Sequence, residues 1–134
     1  STVLTVIEQV VVASPTTINV VNPGTADVRD AVFLIDSNAA GGFSNPKLSN
    51  ALTGEAWQSL RTAANASAQV RVDAWRESVE YSMDNGGSWT GDYANFSTNA
   101  VQVGFMRFRP GSQPVVVTGV INARVRIEFY AAFA

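Results

Sequence analysis

Short runs of β-branched residues, each closed by a turn signal, constrain this chain more than any other feature. Val3 to Val12 holds Val3, Leu4, Val6, Ile7, Val10, Val11 and Val12 before Ser14-Pro15 interrupts it. Thr16 to Val21 reads as a second strand, or as the first one continued. Asn22-Pro23-Gly24 is a turn. Val28 to Asp36, with Val32-Phe33-Leu34-Ile35 at its centre, reads as a strand buried on both faces. Val70, Val72 and Ala74 alternate with Arg71 and Asp73, which is the period of a half-exposed strand. The phase slips at Trp75 to Glu77 and returns at Val79, Tyr81 and Met83, as a β-bulge would produce. Asp84-Asn85-Gly86-Gly87 is the sharpest hairpin signal, with Ser88-Trp89-Thr90 starting the return. Further strands are expected at 101–109, 115–117 and 121–130, with the Pro110-Gly111 turn among them.

Helical spacing is nearly absent. Ala56, Trp57, Leu60 and Ala64 recur at three and four, so one short helix is expected over 53–64. Residues 37–52, rich in Asn, Ser and Gly, read as a long loop. Seven to nine strands with at most one short helix predict an all-β chain. The expected form is a single domain over 1–134, an antiparallel β-sandwich of jelly-roll-like type. A small barrel is the other architecture this spacing allows.

The chain has 134 residues, neither His nor Cys, and a formal net charge of -2. Without Cys there are no disulfides, thiolate nucleophiles or cysteine metal sites. Without His, Ser-His-Asp and Cys-His chemistry are excluded. Glu77, Glu80, Asp84 and Asp92 lie close in sequence, with Glu8 and Glu128 further off. A glycosidase would need two such acids at a set separation. They read better as solvated acids and partners of Arg71 and Arg76, so no catalytic residue is assigned. Asp84-Asn85 and Asp92 are oxygen ligands of the calcium type, as are Asp27 and Asp30, but neither set has EF-hand spacing. No metal or cofactor is expected.

Charged residues are 15% of the chain, against about 25% ordinarily. Eight of the nine basic residues are Arg, a residue favoured at interfaces. Arg107 and Arg109 flank Phe108, and Arg124 and Arg126 flank Val125. If their strands are neighbours, four guanidinium groups form one positive stripe, suited to ion pairs within or between subunits. The acidic balance counts against nucleic acid as the main partner. The ends are apolar: Val3, Val6 and Val10 at one, Phe133 within Ala131-Ala132-Phe133-Ala134 at the other. Trp89 stands near Tyr93 and Phe96, with Asp84, Asn85, Asp92 and Asn95 close by. Together these make a candidate glycan-binding group.

These features converge on a non-enzymatic structural assembly protein. The expected setting is a virion, as a coat, decoration or fibre-knob protein of a bacterial virus. It would form a homo-oligomer, a trimer or larger symmetric array, and meet other virion proteins. The interface residues expected are Val3, Val6, Val10, Arg107, Arg109, Arg124, Arg126 and Phe133. A lectin or adhesin built on Trp89 is the alternative. The first residues carry no basic segment ahead of an apolar run, so no signal peptide is expected. No window approaches 18 uncharged apolar residues, so no membrane-spanning helix is expected. Synthesis in the host cytoplasm follows from that reading. Asn65-Ala66-Ser67 and Asn95-Phe96-Ser97 match the glycosylation pattern by accident in this setting.

Overall fold

The computed structural model describes residues 2–100 and 105–133, and only the backbone of 38–41. Among the described residues nine strands form one antiparallel sheet: β1 (Thr2–Val11), β2 (Thr16–Asn22), β3 (Val32–Asn50), β4 (Ala56–Ser59), β5 (Gln69–Asp73), β6 (Ser78–Ser82), β7 (Thr90–Gly91), β8 (Phe96–Thr98) and β9 (Gly111–Ala132). The antiparallel all-β expectation holds. The sheet is a single curled one, a half-barrel rather than a clear two-sheet sandwich or jelly roll.

The 22-residue β9 is the spine. Its C-terminal half pairs with β1, from Thr2↔Ala132 to Val11↔Ala123, and its N-terminal half pairs with β2, from Thr16↔Val117 to Asn22↔Gly111. β2 therefore continues β1 along the same neighbour. On the other side β9 pairs with β3 along most of its length. β5, β6 and β7 extend the sheet from the first half of β3, and β4 and β8 from its second half.

Other expectations change as well. Residues 37–52 are not a loop, since β3 runs through them to Asn50. Between Ser37/Gly42 and Phe43/Lys47 the register with β9 shifts, because β3 spends extra residues that β9 does not match. Such bulges bend a strand and sharpen its twist. Gly42 and Asn45 at positive φ, the residue types that suggested a loop, sit in this bulged stretch. The expected helix over 53–64 is absent. Ala56 to Ser59 is a strand that buries Trp57 and Ser59 at a period of two, while Leu60, on the expected apolar helix face, is exposed. Finally, the slip at Trp75 to Glu77 is a hairpin tip. Asp73 pairs with Ser78, so the runs around Val72 and Val79 are adjacent antiparallel strands.

Curling brings the inward faces together. Phe33 and Ile35 of β3, Val70 and Val72 of β5, and Val125, Ile127 and Phe129 of β9 supply one side. Ile18, Val20, Leu48, Trp57, Val115 and Val117 supply the other. Phe33 meets Trp57 edge-on at 5.5 Å and Phe108 at 6.0 Å, and Phe108 lies 5.6 Å from Phe129. The expected strand over 101–109 is not formed at 105–109. Phe105 to Arg109 is irregular, with one bridge between Phe108 and Val28, and 101–104 lie outside the described residues. Buried amides hold this segment. Asn22 donates to the Phe108 carbonyl and Asn50 to the Arg107 carbonyl, each at 3.0 Å. Gln113 accepts from Arg109 N–H and donates to its carbonyl.

Candidate functional site: an open edge strand and an ion-paired face

β1 stands at one end of the strand order and, among the described residues, pairs with β9 alone. Every second backbone amide and carbonyl of such a strand faces outward without a ladder partner. Its side chains are exposed as well: Val3 and Leu4 by 51%, Val6 by 44% and Val10 by 48%. Proteins ordinarily protect an edge with charge, proline or a bulge. β1 has one ionisable side chain, Glu8, and that one is drawn onto Arg124 at 3.4 Å and Arg126 at 3.7 Å. Phe133 is 37% exposed just past the last β9 residue.

Cross-strand register turns the outer face into rows. Glu8, Arg126, Leu34, Arg71 and Glu80 succeed one another across β1, β9, β3, β5 and β6. The neighbouring row runs Val10, Arg124, Asp36, Gln69 and Ser82. Opposite charges therefore interleave. Arg126 donates to Glu128 at 2.9 Å, and Arg71 to Glu80 at 2.8 Å. The four-arginine stripe does not form. Arg124 and Arg126 belong to this face, whereas Arg107 lies 3.5 Å from Glu55 and 3.9 Å from Asp27. Arg109 is exposed and its guanidinium has no partner among the described residues.

The candidate glycan residues fall into two groups, Asp84, Asn85 and Trp89 on one turn and Asp92, Tyr93 and Asn95 on the next. Trp89 is half-buried and stacks on the Arg71 guanidinium at 4.0 Å. Asp84 closes its own turn, accepting from Ser82 Oγ at 2.8 Å and from Ser88 N–H and Oγ at 2.8 and 2.6 Å. Those bonds, led by the Ser88 hydroxyl, lower its pKa to about 2. Asn85 occupies the same turn at φ 57. Asp92 is buried. Arg61 grips it with two bonds of 2.8 and 2.7 Å, and Asn95 donates to it at 2.8 Å. Desolvation pushes the Asp92 pKa up, but these bonds outweigh it and the net shift is downward. The same pairing raises Arg61. Tyr93 is exposed, with its ring 5.8 Å from Phe96. Hence Asp92 and Asn95 serve the fold. Nor do the sequence-adjacent acids converge, because Glu80 faces Arg71 and Glu77 projects from a hairpin tip.

Carboxylates whose pKa is lowered by folding bind more protons when unfolded, so stability rises with pH across their range. The contributions of Asp84 and Asp92 are present above about pH 4 and fade as pH falls toward 2. Asp92→Asn leaves Arg61 without its charge partner. With the Arg61 side chain 39% exposed, the expected cost is about 2–4 kcal/mol, less than for a fully buried pair. Urea denaturation at pH 7, 4 and 2.5 checks this. The variant should lose stability at pH 7 and show a shallower acid dependence, and an unchanged slope would refute the assignment.

Compared with known protein families, curated proteins and solved structures, the chain matches none of them. Among the described residues no group of three or more acidic side chains is placed to hold a metal ion, and no helix is long and apolar enough to cross a membrane.

Proposed function

We propose that this chain is a non-enzymatic structural protein that assembles with copies of itself. The observation that carries the reading is β1, a ten-residue edge strand with exposed valines and its one charge neutralised from within. The occupant is β1 of a second copy, paired antiparallel across a two-fold axis. Most registers keep Glu8 away from its symmetry mate, so like charges do not meet. Val3, Leu4, Val6 and Val10 supply apolar contact, and Phe133 lies at the same end of the sheet as Thr2. Arg124 and Arg126 act by cancelling Glu8 rather than by bridging subunits. Arg109 remains a candidate for contact with a partner.

A particle component of a bacterial virus is the setting that best suits a small chain free of His and Cys, with an open sheet edge and Asn-, Ser- and Gly-rich connections. The test is light scattering together with electron microscopy of the purified protein. The expected result is a stable dimer, the assembly that one two-fold contact closes. Val6→Lys puts a charge at the centre of the edge and should shift the protein to monomer, with its melting temperature changed little because Val6 is already exposed. A monodisperse monomer of the unaltered chain at micromolar concentration overturns the proposal.

A further inference from the structure

Trp75 is 75% exposed, the most of any large apolar side chain described, and it caps a hairpin tip where a polar residue would serve the turn equally well. It is not isolated. Trp75, Tyr130 and Asp30 line two adjoining clefts, the larger of about 390 Å³, within the range of small-molecule sites. Tyr130 is itself 56% exposed. Asp30 sits between β2 and β3, half-buried, and its carboxylate has no hydrogen bond or ion pair among the described residues. Every other described carboxylate except the exposed Glu77 is engaged. A half-buried acceptor left open beside two bare aromatic rings is unusual in a chain this thoroughly paired.

The charges around the clefts narrow the ligand. Arg29 and Asp27 line one, Arg76 and Asp73 the other. Arg29 and Arg76 are met by Asp27 and Asp73, so Asp30 is the surplus charge and disfavours a phosphate or another anion, while the two guanidinium groups compete with an incoming cation. A neutral polyhydroxylated ring suits both, since each hydroxyl donates and accepts. Its C–H face lies well on the negative face of an indole or phenol. We propose that the Trp75–Tyr130 cleft binds a neutral sugar, with a ring stacked on the aromatic faces and a hydroxyl donating to Asp30. This site lies on the β5–β6 tip and the end of β9, with Trp89 lining a separate neighbouring cleft, and its occupant is not a second copy of the chain.

Tryptophan emission reads the site directly, because Trp57 is buried and Trp89 is covered in part by Arg71. The probes are glucose, galactose, mannose and N-acetylglucosamine, each as monosaccharide and as trisaccharide. At least one should produce a saturable shift in emission. Loss of one hydrogen bond to a charged acceptor is worth roughly ten- to hundred-fold in affinity, and Asp30→Asn should weaken binding by that factor. Trp75→Ala should abolish it, followed by saturation-transfer NMR on the sugar protons now that the reporter is gone. Trp89→Ala and Val6→Lys should bind as the unaltered protein does. The proposal is overturned if no sugar saturates the signal. It is likewise overturned if arginine or inorganic phosphate saturates it and sugars do not, or if Trp89→Ala loses binding that Trp75→Ala keeps.

Discussion

Gly119→Ala is expected to remove about 3–5 kcal/mol of stability, the sum of left-handed strain and an overpacked contact. The residue lies within β9 at φ +75, opposite the register shift where β3 passes from Phe43 to Lys47. An added Cβ there would overlap the backbone carbonyl oxygen of Ser44 and crowd that of Asn45. Neither atom can rotate away, because both belong to the bulged part of β3 that faces β9. Gly54 supplies the control. Its φ is +77, nearly the same, but nothing lies within 4 Å of an added Cβ. Gly54→Ala should therefore cost only the backbone term, about 1 kcal/mol. Thermal unfolding of the two variants separates strain from packing. Gly119→Ala should melt on the order of 10–20 °C below the parent and Gly54→Ala within about 5 °C of it. Equal losses would mean that the close approach to Ser44 is not what restricts position 119 to glycine.

Phe33→Ala is expected to cost a similar amount, about 3–5 kcal/mol. Phe33 is fully buried on β3 and touches two rings, Trp57 at 5.5 Å and Phe108 at 6.0 Å. Trp57 belongs to the strand beside the far half of β3, and Phe108 to the irregular segment clasped by Asn22 and Asn50. Removing the phenyl group leaves a cavity where these parts meet. Relaxation is limited because each wall is pinned by its own strand pairing or amide bonds. Phe33→Leu, which keeps most of the volume, should recover more than half of the loss. Guanidinium denaturation with tryptophan emission and with circular dichroism measures both variants. A loss below about 1 kcal/mol for the alanine variant would show that the two halves of the sheet do not depend on this contact.

The same residues show how far local pattern reaches. Thr16 to Val21 and Val70 to Ala74 are legible as strands, close to the observed β2 and β5, because alternation and β-branching act within a few residues. The Asn22-Pro23-Gly24 turn was legible too, and the Asn22 carboxamide does accept from Gly24 N–H at 2.9 Å. What the turn motif concealed is the second task of that side chain, a bond to Phe108 across the fold. Residues 37–52 misled for a related reason. Gly42, Asn45 and Pro46 carry the composition of a loop, yet they are the bulged middle of a strand held by β9. The apparent helix around Trp57 failed because spacing in so short a window cannot oppose a pairing with Leu48 on one side and Thr98 on the other.

For the candidate sites the division is sharper. The open valines of β1 stood in the sequence, as did the lack of any His or Cys chemistry. Arg107 and Arg124 did not reveal their partners, because Glu55 and Glu8 become neighbours only through register, and a slip of one residue would turn every such side chain to the other face. Nothing in the sequence joined Asp30, Trp75 and Tyr130, which come from a loop, a hairpin tip and the last turns of the spine. By itself, then, the sequence determined an antiparallel all-β chain, most of its turn positions, its chemistry by exclusion and its apolar first strand. Those properties depend on side-chain types and near neighbours. The curl of the sheet, the pairing of each charge and the grouping of the cleft were decided only by tertiary structure, because each depends on contacts between residues that the chain itself keeps far apart.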